Sequence, residues 1–312
     1  MPEGTPGAWR LFLDREACAA ALARIPRVDL PGPVRARASL EAQRILLARA
    51  ELAAVAGAAA SAGLSLIPLK GTHALLTPDT AYTGKDVDVL ARPVDAAAAE
   101  RALEAGGFAA ASFRSYLHVV LTRPGTDLPV ELHGTIWPQA ARSADELWNA
   151  ATPSGSIPGL RILSPADHLW LSLVHVVAVH PERSGRLRDL LLIRDAADRC
   201  TADDMAIVAA RIEAHPSRQA LTEELSLARG QAAAAVMLDA DRLAAAWYAL
   251  DAMVGLTPAG RPLRTRLAVW ASMMVGAGAQ PSTVIRRLVA AGGTYRLRPV
   301  AWLEVKSPWI GR

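Results

Sequence analysis

The sequence predicts an α/β (α+β) core with a small mixed sheet, followed by an all-α C-terminal half. Three observations carry that prediction. In Gly84-Lys85-Asp86-Val87-Asp88-Val89-Leu90, apolar residues alternate with acids, the period of a half-buried strand. Short apolar runs of strand length recur at 108–112, 117–122 and 128–132. From residue 144 the texture changes, and almost every later segment has helical periodicity.

The elements follow in order. Residues 1–34 are rich in Pro and Gly and read as an arm with one short helix near 14–24. Residues 36–62 form a long Ala/Leu pattern that Gly63 ends, the mark of a helix. Leu64 to Leu69 is an apolar run of strand length. Lys70-Gly71-Thr72 reads as a turn, with a short helix starting within 73–77. Lys85–Ala91 is the acidic strand. Pro93 opens a helix that runs through Ala105, and Gly106-Gly107 stops it. Strands 117–122 and 128–132 suit a hairpin around Pro124-Gly125. A short helix at 144–150 leads into Thr152-Pro153-Ser154-Gly155-Ser156-Ile157-Pro158-Gly159, which reads as a linker. Helices are expected at 165–180, 186–199, 203–214, 217–237, 239–254, 262–277 and 282–291. The expected division is an arm at 1–34, an α/β core at 35–150 and a helical region at 151–312.

Composition narrows the class. The 312 residues are 52% hydrophobic and 21% charged, which suits a folded chain rather than a disordered one. Only Lys70, Lys85 and Lys306 among the 34 basic residues are lysine, a bias that lowers the weight of any single arginine. Cys18 and Cys200 lie far apart and fit neither a metal spacing nor a disulfide framework, so a reducing cytoplasm is expected. No basic region followed by an apolar core opens the chain, so no signal peptide is read. The apolar stretches at 52–69 and 267–279 read as buried helices rather than membrane spans. Residues 261–312 hold nine Lys/Arg against one acid, Glu304, a local +8 within an overall +4. Such a run can meet nucleic acid, or it can be the solvated face of helices.

The chemistry is expected at three places. On a strand, residues i and i+2 share a face, so Asp86 and Asp88 project together and repel each other. A divalent metal offsets that repulsion. Upstream, Leu69-Lys70-Gly71-Thr72 is a strand end entering a glycine turn and a hydroxyl. Gly71 lets the backbone approach a phosphate, and the Thr72 hydroxyl with neighbouring N–H groups can hold a triphosphate. Lys70 and Lys85 are candidates for phosphate contact. Downstream, Val130-Glu131-Leu132-His133 offers a third acid framed by apolar residues. Asp86, Asp88 and Glu131 would bind two Mg²⁺ ions (Mn²⁺ as the alternative) roughly 3.5–4 Å apart. His118 and His133 fall on strands near the acids and are candidates for substrate contact. Asp189 either closes the site from the helical half or pairs with Arg186 or Arg188. His175 and His180 are five apart, which fails the zinc-protease spacing.

The order and spacing of these residues resemble the polymerase-β-like nucleotidyltransferase superfamily. The resemblance is closer to one branch, the uncharacterised bacterial nucleotidyltransferase family 5. Leu69-Lys70-Gly71, Tyr82, Asp86-Val87-Asp88-Val89-Leu90, His118 and Val130-Glu131-Leu132-His133 look like that branch's motifs. Leu163-Ser164-Pro165-Ala166-Asp167-His168-Leu169, the helix with His175 and His180, and Arg186-Leu187-Arg188-Asp189 look like its helical segment. The likeness covers about residues 40–200. Lys85 stands where a Gly or Ser commonly precedes the first aspartate, and the aromatic that often directly follows the histidine is here displaced to Trp137. The resemblance implies a nucleotidyltransferase core and transfer of a nucleoside monophosphate from an NTP, ATP among them, with release of pyrophosphate. The acceptor could be a small molecule, a peptide or protein, or a tRNA as in toxin-type relatives. A degenerate fold serving as a binding or scaffold subunit, or a metal-dependent hydrolase, are the rival readings.

Overall fold

The computed structural model describes residues 19–23, 32–80, 84–115, 117–180 and 187–232. Outside them lie most of the N-terminal arm, Tyr82, Arg186, the expected helices at 239–254, 262–277 and 282–291, and the basic run 261–312. A four-residue helix α1 (Ala19–Leu22) precedes the long helix α2 (Gly32–Ser61). Strand β1 (Ile67–Pro68) enters a short helix α3 (Lys70–Ala74), and strand β2 (Val87–Leu90) carries the acids. Helix α4 (Ala96–Ala105) follows a 3-10 turn that starts at Pro93. Its chain reverses at Gly107, whose φ of +89 lies in the left-handed region. Strands β3 (Ala109–Arg114), β4 (His118–Thr122) and β5 (Val130–His133) complete the sheet.

The sheet has five strands in the order β1-β2-β5-β4-β3. It is mixed, as expected: β2 and β5 run parallel, and every other pair is antiparallel. The expected hairpin is present as β4 and β5. Alternation divides each strand between two faces. Val87, Val89, Val119, Leu121, Val130 and Leu132 point one way, all buried. They pack with Ile45, Leu52 and Val55 of α2 and Ala99 and Leu103 of α4 in one apolar cluster. The opposite face carries Asp88, Glu131, His133 and His118.

After β5 the chain is mostly helical. Helix α5 (Ala144–Ala150) starts with a capping box in which Ser143 and Glu146 exchange side-chain and backbone hydrogen bonds. Helix α6 (Pro165–Val174) widens into a π-turn over His175–Val179. Helices α7 (Leu187–Ala197), α8 (Ala202–Ala214) and α9 (Arg218–Ala232) close a second cluster around Trp170, Leu171, Ile193 and Leu221. Ile67, Leu69 and Leu90 join this second cluster, so the helical half packs directly on β1 and β2, beside the acids.

Two local expectations are corrected. Lys70-Gly71-Thr72 is not a turn but the first part of α3, because Thr72 N–H and His73 N–H both donate back to the Leu69 carbonyl. The 152–159 stretch is not a free connection. Thr152–Pro153 (β6) pairs with Arg161–Ile162 (β7), and Leu160 bridges to Leu66. Gly159 sits at φ +82, where a Cβ would strike the Ala56 carbonyl of α2. Its local composition is that of a loop, and its middle is exposed, yet both of its ends are tied to the fold.

Among the described residues no helix is long and apolar enough to cross a membrane.

Candidate active site

The sheet register assembles the site. Asp88 lies opposite Glu131 across the parallel β2/β5 pair, and His118 lies opposite His133 across β4/β5. Partners in register share a face, so both carboxylates and both imidazoles project to the same side. Asp86 precedes the strand by one residue and is half-buried. The flanking valines and leucines belong to the other face and fix this one by their burial.

Asp88 is the hub. Its carboxylate is buried, and its Oδ1 meets Lys70 Nζ at 2.6 Å and His133 Nε2 at 3.1 Å. Burial alone would raise its pKa. Lys70 and His133 outweigh burial and hold the carboxyl well below the usual range. Lys70 answers in kind. Burial pulls its pKa down, but the charges of Asp88, Glu131 and Asp86 raise it overall, so the ammonium stays protonated. His133 is also buried, which lowers its pKa, yet its hydrogen bond with Asp88 and the nearby Glu131 carboxylate carry it above the ordinary histidine value. The other ring nitrogen of His133, Nδ1, is buried without a hydrogen-bond partner. His118 goes the other way: burial and the neighbouring His133 push it to about 4.

The support beneath these groups is specific. Lys70 takes φ +49, a left-handed backbone that costs a non-glycine residue on the order of 1–3 kcal/mol. The chain holds it there through its carbonyl, 3.1 Å from His168 Nε2. The Thr72 hydroxyl accepts the Asp88 N–H at 2.8 Å, and Asp88 in turn accepts from the Leu69 N–H at 3.0 Å. Helix α3 and strand β2 are thus tied at the residue that carries the central acid. Thr72 keeps its own hydroxyl proton for a further acceptor.

The residues expected from sequence sort into two groups. Lys70, Thr72, Asp88, Glu131, His118 and His133 come together. Gly71 is buried behind them in α3. Lys85 is exposed, and its carbonyl accepts from Arg44. Asp189 is buried in α7 beside Arg188, whose Nε lies 3.5 Å from its Oδ1, the ion pair that was its structural alternative.

Three further residues support the site in ways the sequence did not assign. Trp137 lies with its ring centroid 5.1 Å from Lys70 Nζ and 6.2 Å from the His133 ring, a wall for the site. Ser115 Oγ lies 3.2 Å from His118 Nδ1. His168 holds the Lys70 carbonyl. Trp137 carried a signal as an aromatic close behind His133, and His168 as part of the family-like segment 163–169, though its contact with Lys70 crosses the fold; Ser115 carried none.

A family of uncharacterised nucleotidyltransferases matches residues 15–230, which hold the whole sheet and helices α2 to α8. The chain belongs to that family. No curated protein and no solved structure matches it. Membership in the nucleotidyltransferase family gives the chain its general chemistry, transfer of a nucleoside monophosphate from a nucleoside triphosphate. Nucleotidyltransferases generally use divalent ions, and the in-register carboxylates of Asp88 and Glu131 are donors of the kind such an ion takes. The Lys70 ammonium, 2.6 Å from Asp88 Oδ1, is the cation beside them here.

Proposed function

We propose that this nucleotidyltransferase is Mg²⁺-dependent and uses Asp86, Asp88 and Glu131 as its metal-holding acids. The observation that carries the reading is the in-register pairing of Asp88 with Glu131, together with the lysine ammonium 2.6 Å from Asp88. Bound Mg²⁺ would supply charge neutralisation for the triphosphate and the leaving pyrophosphate, and would activate the acceptor oxygen.

The chain's own residues do the remaining work. Asp88 stays ionised at neutral pH because Lys70 and His133 keep it so. Glu131, about one-fifth exposed at its side chain, is placed to accept the proton of an incoming acceptor. Lys70 is the one described lysine at the acids and can turn its ammonium to a phosphate oxygen. Thr72 holds Asp88 at the right height by its backbone hydrogen bond and can donate its hydroxyl proton to the same phosphates. Trp137 and the helical half exclude water behind Lys70. The acceptor is a hydroxyl, amine or phosphate on a small molecule, a peptide or a tRNA. The basic run at 261–312 is the argument for RNA.

The test is calorimetric binding of each of the four NTPs to the full chain with and without Mg²⁺, followed by pyrophosphate release with candidate acceptors. Mg²⁺-dependent NTP binding that Asp88→Asn abolishes is the expected result. Absence of NTP binding by the wild type, or undiminished pyrophosphate release by Asp88→Ala, overturns the reading.

A further inference from the structure

The acids do not act alone at Glu131. Its Oε1 lies 3.8 Å from His118 Nε2, and its Oε2 lies 3.6 Å from His133 Nε2. These separations are too long for hydrogen bonds. One ligand atom from each of the three residues can be chosen so that all lie within 4.8 Å of one another. Donors around an ion at bond lengths of about 2.0–2.2 Å stand roughly 3.0–3.5 Å apart. The three donors therefore have to draw in by up to about an ångström to reach that spacing, and rotation of the Glu131 carboxylate and of the His133 ring away from Asp88 supplies it.

The sheet makes the arrangement rigid. His118 and His133 are direct partners across β4 and β5, with ring centroids 5.0 Å apart. Glu131 is two residues from His133 on the same face. Ser115 Oγ sits 3.2 Å from His118 Nδ1, the ring's other nitrogen, and so turns Nε2 toward Glu131. A hydrogen-bonded outer partner of this kind is what orients an imidazole ligand. His133 Nε2 has a competing partner, Asp88 Oδ1 at 3.1 Å, but Asp88 retains Lys70 at 2.6 Å if His133 turns away.

We propose that His118, Glu131 and His133 form a mixed nitrogen–oxygen site that takes a first-row transition ion of the Mn²⁺, Fe²⁺ or Zn²⁺ class. Two imidazoles and one carboxylate favour such ions, whereas Mg²⁺ is served by oxygen donors. Three protein donors leave positions open for water or substrate. The site shares Glu131 with the acids assigned to Mg²⁺, and so rests in that one residue on the functional reading above. It needs no nucleotide to exist, so it can be tested apart from transfer.

The experiment is a Co²⁺ titration of the metal-free full chain in excess Mg²⁺, read by visible absorption and by calorimetry. Mg²⁺ occupies sites of oxygen donors alone and leaves the nitrogen site to report. The wild type is expected to take up one Co²⁺, with affinity falling by roughly tenfold or more in His118→Ala. Asp86→Asn, which alters only the oxygen set, is expected to bind Co²⁺ as the wild type does. His118→Gln, with melting followed by circular dichroism, separates loss of a ligand from loss of fold. The proposal is overturned if wild type takes up no Co²⁺ under excess Mg²⁺. It is equally overturned if folded His118→Ala and His118→Gln bind Co²⁺ as tightly as wild type. Failure of NTP binding would sink the transfer reading and leave this result standing.

Discussion

The two faces of the sheet are made from the same strands and obey opposite rules. One face presents Val87, Val89, Val130, Leu132, Val119 and Leu121 to helices α2 and α4, and its chemistry is burial. The other presents Asp88, Glu131, His133 and His118, and its chemistry is charge balance. Neighbouring residues one step apart in sequence therefore serve different ends. On the apolar face a substitution changes how well the protein folds. On the polar face it changes what the folded protein can do, and each charge there depends on its partners.

The sharpest way to break that contrast is Asp88→Asn. Turnover is expected to fall by ~100- to 1,000-fold, the size of losing one preorganised charge-stabilising group. The same change leaves the Lys70 ammonium without its closest partner, so the melting temperature should fall as well. Activity per folded molecule, measured well below the melting point, separates the two losses. Full activity in folded Asp88→Asn would mean that the polar face is structural.

Next comes Leu132→Ala on the apolar face. Leu132 is fully buried, and truncation should cost ~2–5 kcal/mol in denaturant unfolding. Turnover of the folded fraction should be unchanged. A loss of turnover larger than the loss of folded protein would show that the two faces are coupled through the strand.

A third measurement uses pH. Burial holds His168 down to about 4, where it supports the Lys70 carbonyl. The unfolded chain takes up that proton near the ordinary value of about 6.5. The folded pKa is the depressed one, so this stability is fully present above about 6.5 and is lost as pH falls toward about 4. Unfolding curves across that window should show the loss, and His168→Gln should lessen its slope, with His118 and the depressed His73 and His215 supplying the rest. An unchanged slope in the variant would remove His168 as the cause.

The smallest effect is expected at neither face. Leu47 is 52% exposed on the outer side of α2, and Leu47→Gln should change stability by less than ~0.5 kcal/mol with turnover intact.

Much of this was legible because period-two alternation is a local property. Asp86 to Leu90 and Val130 to His133 announce strands whose acids share a face. The α4 stop at Gly106-Gly107 and the hairpin between β4 and β5 were equally local. What could not be read is what strand pairing decides. Nothing near Asp88 in the sequence says that Glu131 stands opposite it, or that His118 meets His133. Thr72 satisfies an N–H sixteen residues away, a partner that only the fold supplies. Lys70 adopts a backbone that lysine rarely takes, so no propensity foretells it. The 152–159 stretch misleads for the reverse reason: Pro, Gly and Ser there announce a loop locally, and a glycine forced against α2 by close approach leaves the same letters.

That stitched segment has a mechanical meaning. Leu160 is riveted to Leu66, just before the strand that feeds Lys70, and Gly159 is wedged under α2. The stretch that looks most like a pivot between the α/β and helical parts is a weld. Any gaping motion that admits a bulky acceptor has to bend the protein elsewhere.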